Sequence, residues 1–192
     1  MIAIIKYNGG NVSSVQNALN RLGAESIITD DFDLIKNADK VIFPGVGEAS
    51  STMKILKEKG LDLLIPTLKQ PVLGICLGMQ LMCKNNEEGN TVGMGIFDIN
   101  VKKFPAENII PHMGWNTISD FKSTIYSGIK EESDVYFVHS FYCELSENTT
   151  SVCDYILPFS ASLQKDNFYA MQFHPEKSGK IGSQLLQNFL KL

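Results

Sequence analysis

Nothing in this chain is long and apolar enough for a signal-peptide core or a membrane span. The first apolar run is only Ile2 to Ile5, and no other approaches the roughly 20 residues a spanning helix needs. A cytoplasmic protein is expected. Basic clusters are also lacking: 17 Lys and Arg face 21 Asp and Glu, a formal charge of −4, so neither a nucleic-acid backbone reader nor a polybasic membrane binder is expected. The four cysteines, Cys76, Cys83, Cys143 and Cys153, include no C-x-x-C pair, and three histidines in no ligand spacing give no reason to expect a metal. A disulfide framework is unexpected in a chain large enough to build its own core, so the default for each thiol is a small buried hydrophobe. Repeats, low-complexity tracts and linker-like stretches are absent. With 44% hydrophobic and 20% charged residues, the 192-residue chain reads as one globular domain, 1–192.

What is there is a change of rhythm. The short apolar runs Ile2–Ile5, Ser26–Thr29, Val41–Phe43 and Val72–Ile75 suit buried strands. Helical patterns separate them: Val12, Val15, Leu19 and Leu22, capped by Asn11 and stopped by Gly23; then Thr52 to Lys59; then Leu77 to Lys84. This alternation predicts an α/β fold with a largely parallel sheet. After about residue 95 strand-like segments dominate: Phe97–Phe104, Trp115–Ile118, Val135–Tyr142, Ser151–Ile156, Ala161–Gln164 and Tyr169–Phe173. Lys165–Asn167 reads as a hairpin between the last two, and Ile181 to Leu190 as a closing helix.

One cysteine departs from the default. In Gly74-Ile-Cys76-Leu-Gly78 small residues flank a thiol by two positions at a strand-to-helix junction, as a nucleophile on a tight turn requires. Such a turn lifts Sγ clear of the sheet, sets it at a helix N-terminus and aims the Leu77 N–H at an oxyanion. The alternative is a glycine-lined packing contact. A thiol nucleophile needs a base and a group to hold that base. His174, in Phe173-His-Pro-Glu176, has a carboxylate two residues on, which extended backbone would place on the same side. His112 and His139 have no carboxylate nearby in sequence and read as structural or site-lining. Pro44-Gly-Val-Gly47, after the third strand, is either a second oxyanion donor or a plain turn.

Gly74-Ile-Cys-Leu-Gly-Met-Gln80 followed by Phe173-His-Pro-Glu176 resembles the class I glutamine amidotransferases, whose triad is Cys-His-Glu. Pro44–Gly47, Glu87–Gly89, Pro111–Asn116, Tyr136–Ser140 and His174–Ser178 extend the resemblance to one branch, the glutaminase subunits of imidazole glycerol phosphate synthases of histidine biosynthesis. It implies a flavodoxin-like α/β fold: a mostly parallel central sheet flanked by helices, with an added antiparallel region in the second half. It also implies glutamine hydrolysis by Cys76, His174 and Glu176, an oxyanion held at Leu77 and the Val46–Gly47 turn, and glutamine contacts from Gln80, Glu88, Ser140 and Phe141. Asn11, Trp115, Tyr136 and Lys177 match positions that face a (β/α)8 barrel cyclase subunit, which receives ammonia through a tunnel in a heterodimer. No cofactor is implied, and the isolated subunit is expected to be nearly inactive until the cyclase binds its nucleotide ligand. Without the resemblance, Gln80 and Glu88 would be ordinary exposed helix and loop residues. Asn11 would be a helix cap, Trp115 a core aromatic, Tyr136 a strand aromatic and Lys177 a solvated lysine. A chain of this length accommodates a glutaminase and leaves no room for a synthase, so the ammonia acceptor is expected on another chain. The competing readings are a stand-alone relative, such as a glutaminase of vitamin B6 synthesis or a peptidase-like member of the fold, and a non-catalytic module regulating a barrel enzyme.

Overall fold

The computed structural model describes residues 1–7 and 11–192. The first half alternates as the apolar runs predict: β1 (Ile2–Ile5), α1 (Val12–Arg21), β2 (Ser26–Thr29), α2 (Phe32–Asn37), β3 (Lys40–Gly45), α3 (Ala49–Lys59), α4 (Leu61–Leu64), β4 (Val72–Cys76) and α5 (Leu77–Met82). Strands then take over: β5 (Cys83–Asn86), β6 (Thr91–Val92), β7 (Phe97–Lys103), β8 (His112–Ser119), β9 (Ser133–His139), β10 (Phe141–Cys143), β11 (Thr149–Tyr155), β12 (Leu157–Lys165) and β13 (Phe168–Met171), before α6 (Gly179–Leu190).

A nine-stranded sheet runs β2-β1-β3-β4-β13-β12-β11-β8-β9. Pairing is parallel from β2 through β13 and antiparallel from β13 outward to β9. A second sheet, β10-β7-β5-β6, has four strands. Strands of the parallel part bury both faces, which is why they read as unbroken apolar runs. In β1, Ala3 and Ile5 pack into one core cluster with α2 to α5, while Ile2 and Ile4 pack into another with α1 and α6. Leu185, Leu186 and Phe189 fix α6 to that second cluster, each burial contributing about 1.5–3 kcal/mol.

Several local expectations change. α2 was not expected, because Ile35 is its one buried residue; its start is set by Asp31, whose carboxylate accepts from the Asp33 and Leu34 N–H groups. The helix read as Leu77 to Lys84 stops at Met82, and Cys83–Asn86 pairs instead with β7 and β6. Two consecutive asparagines are poor helix formers, and the neighbouring strands offer their backbone a ladder. The strand read as Val135–Tyr142 breaks at Ser140, where the chain leaves the large sheet for the small one. Asn11 begins α1 but makes no side-chain cap.

Candidate active site

β3 and β4 are parallel neighbours with Gly45 opposite Cys76, so the turns that follow them open side by side at the carboxyl edge of the sheet. Cys76 sits at φ 53° and ψ −112°, a conformation that L residues adopt only when surroundings impose it. The elbow forms because α5 starts hard against β3: a Cβ on Gly78 would lie 2.0 Å from the Phe43 carbonyl oxygen. The small residues flanking Cys76 thus serve close approach, as the pentapeptide predicts.

His174 is 3% exposed and aims one ring nitrogen at Cys76, while Nδ1 lies 2.8 Å from Glu176 Oε1. Burial alone would depress its pKa, but hydrogen bonds to Cys76 and Glu176 and the attraction of both groups push it up to about 10. The route by which Glu176 reaches back differs from the expected extended segment. Pro175–Lys177 is a 3-10 turn, closed by the Lys177 N–H on the His174 carbonyl, and this turn folds the carboxylate under the imidazole. Asn11 explains its missing cap here, since its Nδ2 donates to Glu176 Oε1 at 3.0 Å. Glu176 Oε2 is buried with no hydrogen-bond partner among the described residues. Ser178 ties the turn down, accepting from the Tyr136 N–H and donating to the His174 carbonyl.

A cavity of about 350 Å³ opens over the thiol, lined by Cys76, His174, Leu77, Val46, Gly47, Gln80, Glu88, Ser140, Phe141, Pro111, Val138, His139 and Lys177. It brings together Cys76 and His174 with every residue expected to bind oxyanion or glutamine. Gln80 is not the exposed helix residue that periodicity alone suggests; it is 4% exposed, donating to the Phe141 carbonyl and to Gln172 Oε1. Glu88 Oε2 accepts from the Ala49 N–H at the start of α3, and burial raises its pKa. The turn after β3 is anchored by Tyr7, whose buried hydroxyl donates to the Pro44 carbonyl at 2.6 Å.

Among residues expected to face a partner, Trp115 and Tyr136 are opposite each other on β8 and β9, ring centroids 6.0 Å apart. Trp115 is 58% exposed rather than a core aromatic, and Met113, two residues back on β8, is 66% exposed. Lys177 is exposed at the cavity rim, whereas Asn11 turns inward to Glu176.

Sequence reasoning missed Tyr7 and Gln172. Gln172 is fully buried and its Nε2 lies 3.7 Å from Cys76 Sγ. Its signal was alternation: Phe173 is buried in the core, and the residues on either side of it, Gln172 and His174, both meet Cys76.

A cysteine on a strand-to-helix elbow, with a histidine and a buried carboxylate behind it, is the arrangement of a thiol nucleophile, a base and the group that holds the base in an α/β enzyme. The model of the family described as glutamine amidotransferase class-I matches residues 3–192, and the chain belongs to that family. It is 59% identical over 194 residues to the imidazole glycerol phosphate synthase subunit HisH of Bacteroides fragilis, covering 100% of this chain and 99% of that one. It is 45% identical over 200 residues to the imidazole glycerol phosphate synthase subunit HisH 2 of Methanococcus maripaludis, with the same coverage of the two chains. The solved structure of PurLQS from Thermotoga maritima shares the fold at a TM-score of 0.74 and 16% identity, over 99% of this chain and 97% of that one.

Proposed function

We propose that the chain is the glutaminase subunit of an imidazole glycerol phosphate synthase, hydrolysing L-glutamine to L-glutamate and delivering ammonia to a (β/α)8 barrel cyclase subunit in histidine biosynthesis. The observation that carries the chemistry is a single cavity lined by Cys76, by His174 with Glu176 on its Nδ1, and by the half-buried Glu88 carboxylate. A thiol and a carboxylate in one cavity suit an amino acid whose side-chain amide reacts while its ammonium meets the carboxylate. The relatives' names supply the pathway and the partner.

His174, an imidazolium held by Glu176, carries the proton that Cys76 gives up, and the thiolate attacks the amide carbon. The oxyanion takes the Leu77 N–H and an amide of the Val46–Gly47 turn. His174 returns the proton to the departing nitrogen, the C–N bond breaks and ammonia leaves a thioester. Water, deprotonated by His174, then cleaves the thioester to glutamate and restores the thiol. Gln80, Glu88, Ser140 and Phe141 hold the substrate. Trp115, Tyr136 and Lys177 face the partner, beside the exposed Met113, and Asn11 acts there through Glu176. The reading takes residues 1–192 as one domain, because the nine-stranded sheet threads strands from both halves of the chain. It places the enzyme in the cytoplasm, which suits four unpaired thiols.

Glutamate release measured with and without the cyclase and its nucleotide ligand tests this. Low activity alone and strong activation in the complex are expected. Equal activity in both states removes the coupling, and no hydrolysis in the complex removes the glutaminase.

A further inference from the structure

Two buried rings take no part in this chemistry. His112 is 4% exposed and His139 is 6% exposed. His112 Nδ1 lies 2.9 Å from His139 Nε2, His139 Nδ1 lies 2.8 Å from the Phe141 carbonyl oxygen, and His112 Nε2 lies 3.2 Å from Asn116 Nδ2.

The ends of this chain determine where its protons sit. A carbonyl only accepts, so His139 carries its proton on Nδ1. At the far end Asn116 Oδ1 takes the Thr117 N–H at 2.8 Å, and its NH2 group donates to the Asp154 carbonyl at 3.1 Å. The amide therefore cannot be turned round, and it presents a donor to His112 Nε2, which must be bare. The middle bond then has one arrangement, His112 Nδ1–H to His139 Nε2. Both ends independently demand the same polarity, with both rings neutral. A proton added to either Nε2 would set donor against donor.

The rings are also clamped. His112 stacks between Tyr155, at 4.0 Å and 13°, and Phe137, at 4.8 Å and 24°, while His139 packs against Phe104 and Phe159. The titratable groups facing them are Tyr155 on His112 and the His174 cation on His139. Burial pushes His112 down to about 4; burial, then the neighbouring histidines, hold His139 at about 3 against the Phe141 hydrogen bond.

The Phe141 carbonyl also accepts from Gln80 Nε2 at 3.0 Å, whose other N–H reaches Gln172, the residue beside Cys76 Sγ. A continuous set of directed bonds thus joins Asn116, next to the exposed Trp115, to the nucleophile. We propose that His112 and His139 are positioning residues which, neutral and both protonated on Nδ1, hold the Ser140–Phe141 wall of the substrate cavity in register with β8. This rests on the reading of that cavity as the glutamine site.

Nitrogen NMR of the full chain labelled with 15N-histidine is expected to place both rings in the Nδ1–H form at pH 7. An Nε2–H form or a charged ring at either position overturns the proposal, whatever the substrate is. Kinetics in the complex with the cyclase supply the functional half. His112→Phe keeps the stacking and loses the donor to His139; KM for glutamine is expected to rise about tenfold with kcat changed less than about twofold, the size of one lost hydrogen bond. His112→Asn restores a donor near the Nδ1 position and is expected to stay within about threefold of the wild type. An unchanged KM in His112→Phe, or a fall in kcat alone, refutes positioning. Should His112→Phe not fold, Asn116→Asp at the half-exposed end sets a carboxylate oxygen before His112 Nε2 and draws a proton there; it is expected to take His112 out of the neutral Nδ1–H form and to raise KM, and an unchanged spectrum refutes the chain. A wild-type complex that leaves glutamine intact refutes the glutamine reading instead, while the tautomers still decide the positioning claim.

Discussion

Replacing Glu176 by Gln exchanges a carboxylate oxygen for an NH2 group of similar size, and the surroundings decide which way the new amide settles. Both groups that meet Oε1 are donors: His174 Nδ1–H at 2.8 Å and Asn11 Nδ2–H at 3.0 Å. A Gln side chain must therefore keep its oxygen toward them, so His174 keeps its Nδ1–H on that oxygen and its other nitrogen toward Cys76. What is lost is charge. Hydrogen bonds to a charged group contribute about 1.5–3 kcal/mol against about 0.5–1.5 for neutral ones, a difference of about 1–2 kcal/mol. At 1.4 kcal/mol per decade this predicts a fall of about fivefold to thirtyfold in kcat/KM for glutamine hydrolysis in the complex. His174→Ala, which removes the base itself, is expected to lose far more. The pH profile adds a signed test. Folding raises the His174 pKa from 6.5 to about 10, so its contribution to stability is full below about pH 6.5 and lost as pH rises through 10. Neutralising Glu176 removes one of the two groups that raise it, so the alkaline limb of kcat/KM moves to lower pH in the variant. A loss equal to that of His174→Ala, or an alkaline limb that does not move, would refute the assignment of Glu176 as the group that orients and charges the imidazole.

Gly78→Ala drives a methyl into the Phe43 backbone, which no rotamer change relieves; destabilisation of about 3 kcal/mol and a fall in melting temperature of about 10 °C are expected by calorimetry, with loss of Cys76 reactivity in the folded fraction. Cys76→Ala is expected to abolish turnover, whereas Cys83→Ala, Cys143→Ala and Cys153→Ala retain most of it; Cys83 and Cys143 sit 3.6 Å apart in the core, away from the cavity lining. Because burial keeps His112 and His139 neutral in the folded chain, between about pH 6.5 and 4 the unfolded chain binds protons that the folded one refuses. Urea midpoints are therefore expected to fall from pH 7 to pH 5, less steeply in His112→Phe.

Legibility in the sequence followed how local the physics is. The parallel half was readable because strands buried on both faces must be continuously apolar, and Cys76 was readable because a close approach at Gly74 and Gly78 leaves a pattern only a few residues long. The β5 strand was not, since Cys83–Asn86 carries no apolar run and gains its pairing from β7, distant in sequence. Glu176 meets His174 by a backbone route other than the expected one, a 3-10 turn in place of extended chain, because Pro175 suits either conformation. Asn11 shows why neighbouring residues mislead. Its position before α1 makes it a cap by every local rule, yet a buried carboxylate that would otherwise hold one donor offers a stronger hydrogen bond than an exposed helix N-terminus, and folding delivers that carboxylate from the far end of the chain. The same holds for Gln172, Tyr7 and the two histidines: each is a polar group whose partner arrives only when strands distant in sequence come together. What the residues announce is therefore the atom proposed to react, and what the fold adds is the set of groups packed around it.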